Sequence, residues 1–201
     1  MNKIMGFFAI CLILVITPVA ANAAPSFVNN SFETGNTTGW STSGGAYATT
    51  PCAAAGDGNY YGWVGNYDNP GSFSQTVGGF VPGQTYRLSF LAASETTGTS
   101  DIVRLDITGA NTSYQEWTVS PASSTCWDNW EMKSVTFTAN SSSITFNVYG
   151  YSQPYDVGVD LFELTDVGAP AGIPTLTQWG MILLSTLLAL GAALTLRRRR
   201  Q

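Results

Sequence analysis

Tyr149, Tyr151 and Tyr155 fall within seven residues of one another, and Cys126-Trp127-Asp128-Asn129-Trp130 sets two indoles beside an acid and an amide. Flat aromatic faces stack on pyranose rings, while neighbouring acids and amides hydrogen-bond hydroxyls. Both groups suit recognition of carbohydrate better than bond-breaking. Trp127 and Asp128 are the surface candidates of the second group. The 201-residue chain has no histidine, which removes Ser-His-Asp and Cys-His machinery and imidazole zinc ligands. Its 13 acidic residues make chance carboxylate pairs easy to find, and no nucleophile with a base or metal-ligand spacing accompanies them. The chain is therefore read as a non-enzyme. A binding domain comes first, a purely structural surface protein second, and a carboxylate-dependent glycoside hydrolase or lyase third.

The net charge of -5 averages unlike regions. All the acids lie between Glu33 and Asp166 with only Arg87, Arg104 and Lys133, so that segment carries −10, while Arg197 to Arg200 close the chain. A surface of that sign repels phosphate backbones, and nucleic acid is not an expected partner.

Hydrophobicity in the middle of the chain follows period two, with turn residues interrupting every eight to twelve positions. Strands are predicted near Ser26 to Phe32, Tyr60 to Gly65, Ser72 to Val77, Thr85 to Leu91, Ile102 to Thr108, Tyr114 to Val119, Met132 to Thr138, Ser143 to Tyr149 and Val157 to Val167. The fold class is all-β, two packed antiparallel sheets. Val103, Leu105 and Ile107 share one face of their strand, as do Ile144, Phe146 and Val148 of theirs, which sends Tyr149 and Tyr151 outward. Tyr61 and Trp63 share a face opposite Tyr60 and Val64, and the pattern leaves open which face is wet.

Asn30-Ser31-Phe32-Glu33, Gly39-Trp40, Ser74-Gln75-Thr76-Val77 before Pro82-Gly83-Gln84-Thr85-Tyr86-Arg87-Leu88-Ser89-Phe90, then Val135-Thr136-Phe137-Thr138-Ala139 and Val159-Asp160-Leu161-Phe162-Glu163-Leu164 follow one another in an order that resembles the galactose-binding-like jelly roll of carbohydrate-binding modules. The resemblance spans residues 26 to 167. It implies a non-catalytic domain, with polysaccharide as the ligand and Trp40 in the core. It also implies a structural calcium site at Glu33 and Asp160, where hard oxygen donors suit that ion. Family members carry a paired Asp-Asp before the last strand, and this chain has Val159-Asp160.

The two ends read as addresses. Residues 1 to 23 combine Lys3, an apolar run from Ile4 to Ile16 and Ala21-Asn22-Ala23, the pattern of a secretory signal peptide. Residues 24 to 167 form the ectodomain and 168 to 172 a flexible linker. Residues 179 to 196 are uncharged and mostly apolar, about 27 Å as a helix, enough for a transmembrane span. The arginines 197 to 200 behind it hold the C-terminus in the cytoplasm. Ile173-Pro174-Thr175-Leu176, with Trp179-Gly180, the span and the basic tail, closely resembles the IPTL-CTERM sorting signal over 173 to 201. That resemblance implies an exosortase-type membrane protease or transpeptidase as partner, transient anchoring in the inner membrane, and delivery to the cell surface or extracellular matrix. After signal removal the remaining cysteines are Cys52 and Cys126. Export makes a disulfide the default, closing a loop of about 75 residues, with two separate buried thiols as the alternative.

Overall fold

Period-two alternation becomes eleven strands in a computed structural model that describes residues 23–50, 55–66, 69–95, 97–123, 128–151, 157–168 and 183–189. The strands are β1 (Ser41–Ser43), β2 (Ala46–Thr49), β3 (Tyr61–Asn66), β4 (Asn69–Pro70), β5 (Ser72–Gly78), β6 (Thr85–Ser94), β7 (Asp101–Thr108), β8 (Tyr114–Val119), β9 (Glu131–Thr138), β10 (Ser143–Gly150) and β11 (Val157–Asp166). They form two antiparallel sheets. The first has the order β1-β5-β10-β7-β8 and the second β2-β3-β11-β6-β9, with β4 pairing β3. The chain crosses repeatedly between the sheets, as when β5 hands over to β6 and β10 to β11, while β2–β3 and β7–β8 are neighbours within one sheet.

The inward side chains of both sheets make one core. Leu88, Phe90, Val103, Leu105, Ile144, Val157 and Val159 have no exposed surface. Aromatic rings dominate its centre. Trp40 stacks on Phe27 at a centroid distance of 5.3 Å and on Phe32 at 5.6 Å, and Phe162 lies 5.0 Å from Trp40 and stacks on Phe90 at 5.1 Å. A buried phenyl ring contributes about 1.5–3 kcal/mol by leaving water, and such ring pairs add about 0.5–1.5 kcal/mol each. Trp40 is the core residue the jelly-roll resemblance implied.

Two details position the core. The predicted strand at Ser26 to Phe32 is instead a series of turns, with positive φ at Asn29 and Phe32. Asparagine tolerates the left-handed region because its short amide hydrogen-bonds locally, and Asn29 does so, donating to Asn36 O at 2.8 Å. The segment is tied to the sandwich by the buried amide of Gln75. It accepts from Val28 N at 2.8 Å and donates to Val28 O at 3.1 Å, as a neighbouring strand would. In β11 a register shift between Asp160 and Glu163, with Leu161 at φ 48, exchanges inside for outside. Val157 and Val159 point inward before the bulge, Phe162 after it, so one extra residue re-aims the strand.

The expected signal peptide, apart from Ala23, lies outside the described residues, as do Cys52 and Cys126. So do the sorting-motif residues Ile173, Pro174, Thr175, Leu176, Trp179 and Gly180. Residues 183–189 of the expected span are helical, with Leu183, Leu184, Leu187 and Leu188 exposed. Among the described residues, no helix is long and apolar enough to cross a membrane.

Candidate functional site

The outward side chains of the first sheet form two rows across all five strands. Pairing of β1 with β5, β5 with β10, β10 with β7 and β7 with β8 aligns Ser43, Ser72, Tyr149, Arg104 and Glu116 in one row. The same pairings align Ser41, Ser74, Asn147, Asp106 and Tyr114 in the next. With strands about 4.8 Å apart, each row is roughly 19 Å long, room for several sugar rings in line. One half is a carpet of hydroxyls and an amide. The other carries rings and charges.

Arg104 organises that second half. Its Nε donates to Asp106 at 2.7 Å and its Nη1 to Glu116 at 3.2 Å. Its guanidinium carbon lies 4.2 Å from the Tyr114 ring centroid, 5.1 Å from Tyr151 and 6.0 Å from Tyr149, cation–π distances for the three tyrosines. The hydrogen bond to Asp106 keeps the guanidinium firmly charged, outweighing its partial desolvation. The Tyr149 hydroxyl donates to Asp106 Oδ2 at 3.1 Å, and its ring lies 6.3 Å from that of Tyr151. Burial, followed by the charge of Asp106, pushes the Tyr149 hydroxyl above its ordinary value, so it remains a donor at physiological pH. Beside Tyr149, a groove of about 270 Å³ opens over Asn147 toward Ser72 and Pro70. Tyr114 and Tyr151 are about half exposed, at 51% and 48%. A second cleft, about 430 Å³, is lined by Pro25, Asn30, Glu163 and Thr165, where the rings of Phe27 and Phe162 are already buried in the core.

The structure therefore brings Tyr149 and Tyr151 together. Tyr155 and Trp127 lie outside the described residues. Asp128 is exposed and accepts from Ser123 N at 3.1 Å and from the Ser123 hydroxyl. Tyr61 and Trp63 face away from the core on the second sheet. There Trp130 packs edge-on over Tyr61 at 5.7 Å, and Tyr47 lies 5.1 Å from Trp63. Sequence reading missed Arg104, Asp106, Tyr114 and Glu116. The signal was half present, because inward Val103, Leu105 and Ile107 leave Arg104 and Asp106 outward, but the partners across β10 and β8 need the register.

Glu33 and Asp160 do converge, on the 56–60 loop. Glu33 Oε1 accepts from Asn59 N and Tyr60 N, both at 2.8 Å. Asp160 points out of the second sheet but is roofed by the same loop and has no exposed surface. Its Oδ2 accepts from Asp57 N at 2.7 Å and its Oδ1 from Leu161 N at 2.8 Å. Burial pushes the Asp160 carboxyl up to about 7 against those two hydrogen bonds, with the charges of Asp57 and Glu33 adding to the rise. These are hard oxygen donors of the kind calcium takes, supplied by two side chains. Among the described residues, no group of three or more His, Cys, Asp or Glu could hold a metal ion.

Residues 24–156 match the carbohydrate binding domain family designated CBM_4_9, and residues 171–200 match the IPTL-CTERM motif. Among solved structures, TmCBM61 in complex with beta-1,4-galactotriose is 19% identical with a TM-score of 0.54, covering 72% of this chain and 99% of that one. The C-terminal family 22 carbohydrate binding module of Clostridium thermocellum Xyn10B is 18% identical with a TM-score of 0.52, covering 76% of this chain and 99% of that one. The enzymatically active domain of bacteriophage CBA120 tailspike protein 4 is 12% identical with a TM-score of 0.53, and the likeness covers 73% of this chain but 22% of that one. None of the curated proteins matches the chain. The fold is the jelly roll that the sequence motifs implied, and the chain belongs to the carbohydrate binding domain family, with an IPTL-CTERM motif at its C-terminal end.

Proposed function

We propose that the protein is an exported, non-catalytic carbohydrate-binding protein that holds a linear polysaccharide across the strands of the first sheet. The observation that carries this reading is the pair of cross-strand rows, in which Tyr149 and Tyr114 supply ring faces, with Tyr151 beside them, and Asn147, Asp106 and the serines supply hydrogen bonds. Family membership supports the same ligand class. Trp127, Asp128 and Tyr155 remain proposed contacts. A polysaccharide array probed with the purified protein tests the reading, with retention by at least one glycan expected and none overturning it.

The IPTL-CTERM motif supports sorting by an exosortase-type protease, with residues 1–23 as the export signal. Residues 24–167 are the working domain, 168–172 a linker and 179–196 a temporary anchor in the inner membrane with the 197–200 arginines cytoplasmic. The cell surface or matrix is the destination, and a Cys52–Cys126 disulfide fits that compartment. Glu33 and Asp160 are proposed as two donors of a structural calcium that fixes the 56–60 loop. Support comes from their convergence on one loop and from the burial of Asp160 beside further acidic charge. A melting temperature raised by calcium and lowered by chelator is expected, and one unchanged by both would remove the ion from the account.

A further inference from the structure

The charges on the outer face of the first sheet are arranged to exclude acidic sugars. Among the described outward side chains, β1, β5 and β10 contribute only Ser, Thr, Asn and Tyr, and the charged groups are Arg104 and Asp106 on β7 and Glu116 on β8. Left alone, an arginine whose side chain is 22% exposed among tyrosines would be a receptor for the carboxylate of a uronic acid, since its fork pairs bidentately with carboxylates. Here two of its five N–H donors are already taken, both by carboxylates. Nε is held by Asp106 at 2.7 Å and Nη1 by Glu116 at 3.2 Å, while the guanidinium plane rests against Tyr114 and Tyr151. Two carboxylates against one guanidinium leave the face with one surplus negative charge, set in a domain whose net charge is −10 from Glu33 to Asp166.

Resting on the carbohydrate-binding reading, we infer that Asp106 and Glu116 are specificity-determining residues that sequester Arg104 and so restrict this face to uncharged glycans. A uronate or sulfate carried along the rows meets the surplus negative charge of two acids on one guanidinium, the repulsive element that specificity requires. A neutral ring meets no such penalty. Its hydroxyls can donate to the remaining lone pairs of Asp106 and Glu116, so the same acids that repel anions serve as acceptors for sugars.

The full chain in detergent is run through affinity gels of mixed-linkage β-glucan, galactan and mannan, each beside the same glycan oxidised at its primary hydroxyls to the uronate. The expected result is retention by at least one neutral gel and weaker retention by its oxidised twin, with raised salt narrowing the difference by screening. Glu116→Gln, an isosteric change on an edge strand, should raise retention on the oxidised gel by about fivefold, the equivalent of one unit charge at about 4 Å in water. Arg104→Gln should lower it further. Equal or stronger retention by the oxidised gel in the unsubstituted protein, or no gain with Glu116→Gln, overturns the exclusion role while leaving carbohydrate binding in place. Retention by no gel of either kind overturns the binding reading itself and this inference with it.

Discussion

Tyr149 and Asp106 sit on neighbouring strands, two residues out of register on the same face, and are joined by a 3.1 Å hydrogen bond from the phenol to Oδ2. Asp106 in turn holds Arg104, which lies against Tyr114 and Tyr151. One carboxylate therefore fixes a phenol directly and two more rings through a guanidinium. Asp106→Ala should weaken glycan binding by more than Tyr149→Phe, because it releases all three rings, whereas Tyr149→Phe removes one hydrogen bond worth about 1.5–3 kcal/mol to a charged group and keeps the ring. Parallel titrations with any retained glycan check the order.

Glu33 reaches from the turn after Phe32 to two amides of the 56–60 loop. Glu33→Ala leaves those N–H groups without their acceptor and should cost about 1.5–3 kcal/mol per hydrogen bond at most, measured as a lowered midpoint in urea. Gly58→Ala should act in the same place. At φ 66 a side chain is strained, and its Cβ would stand 2.4 Å from the Glu33 carboxyl carbon.

The core tolerates no side chain at Gly62. A Cβ there would lie 2.6 Å from Phe32 and 2.8 Å from Phe73, both fully buried rings. Gly62→Ala should cost about 1–3 kcal/mol through overpacking, without changing glycan contacts on the opposite sheet. Thermal melts and gel retention measured side by side distinguish the two effects.

In the presence of chelator, Asp160 sets a pH dependence whose sign is fixed by its raised value. The folded carboxyl titrates near 7 and the unfolded one near 3.8, so between these values the folded chain holds a proton that the unfolded chain has lost. Stability from this group is complete below the unfolded value and is lost as pH rises through the folded one. The melting temperature should therefore rise as pH falls from 8 toward 5. Asp160→Asn should flatten that slope, and a slope of opposite sign that survives the substitution would assign it to other groups.

Much of this was legible before the fold was known. Alternation at Val103-Leu105-Ile107 and Ile144-Phe146-Val148 gave β7 and β10, and with them the outward position of Tyr149 and Tyr151. The segment from Ser26 to Phe32 misled because Phe27 and Phe32 enter the core through turns, which period two cannot distinguish from a strand. The Leu161 bulge was invisible for a related reason. Its extra residue shifts the inward set from Val157 and Val159 to Phe162, and the adjacent apolar pair Leu161-Phe162 does not say which of the two is buried. The Arg104 network depends on which strands are neighbours. β7 pairs with β10, 37 or more residues along the chain, and no local pattern encodes that choice.

The account rests most directly on the affinity of one protein pair. Calorimetric titration of a retained neutral glycan into the unsubstituted chain and into Tyr149→Ala/Tyr151→Ala should show binding in the first and a loss of about tenfold or more in the second, with matching melting temperatures. Equal affinities in two folded proteins would contradict it, placing the glycan somewhere other than the outer face of the first sheet.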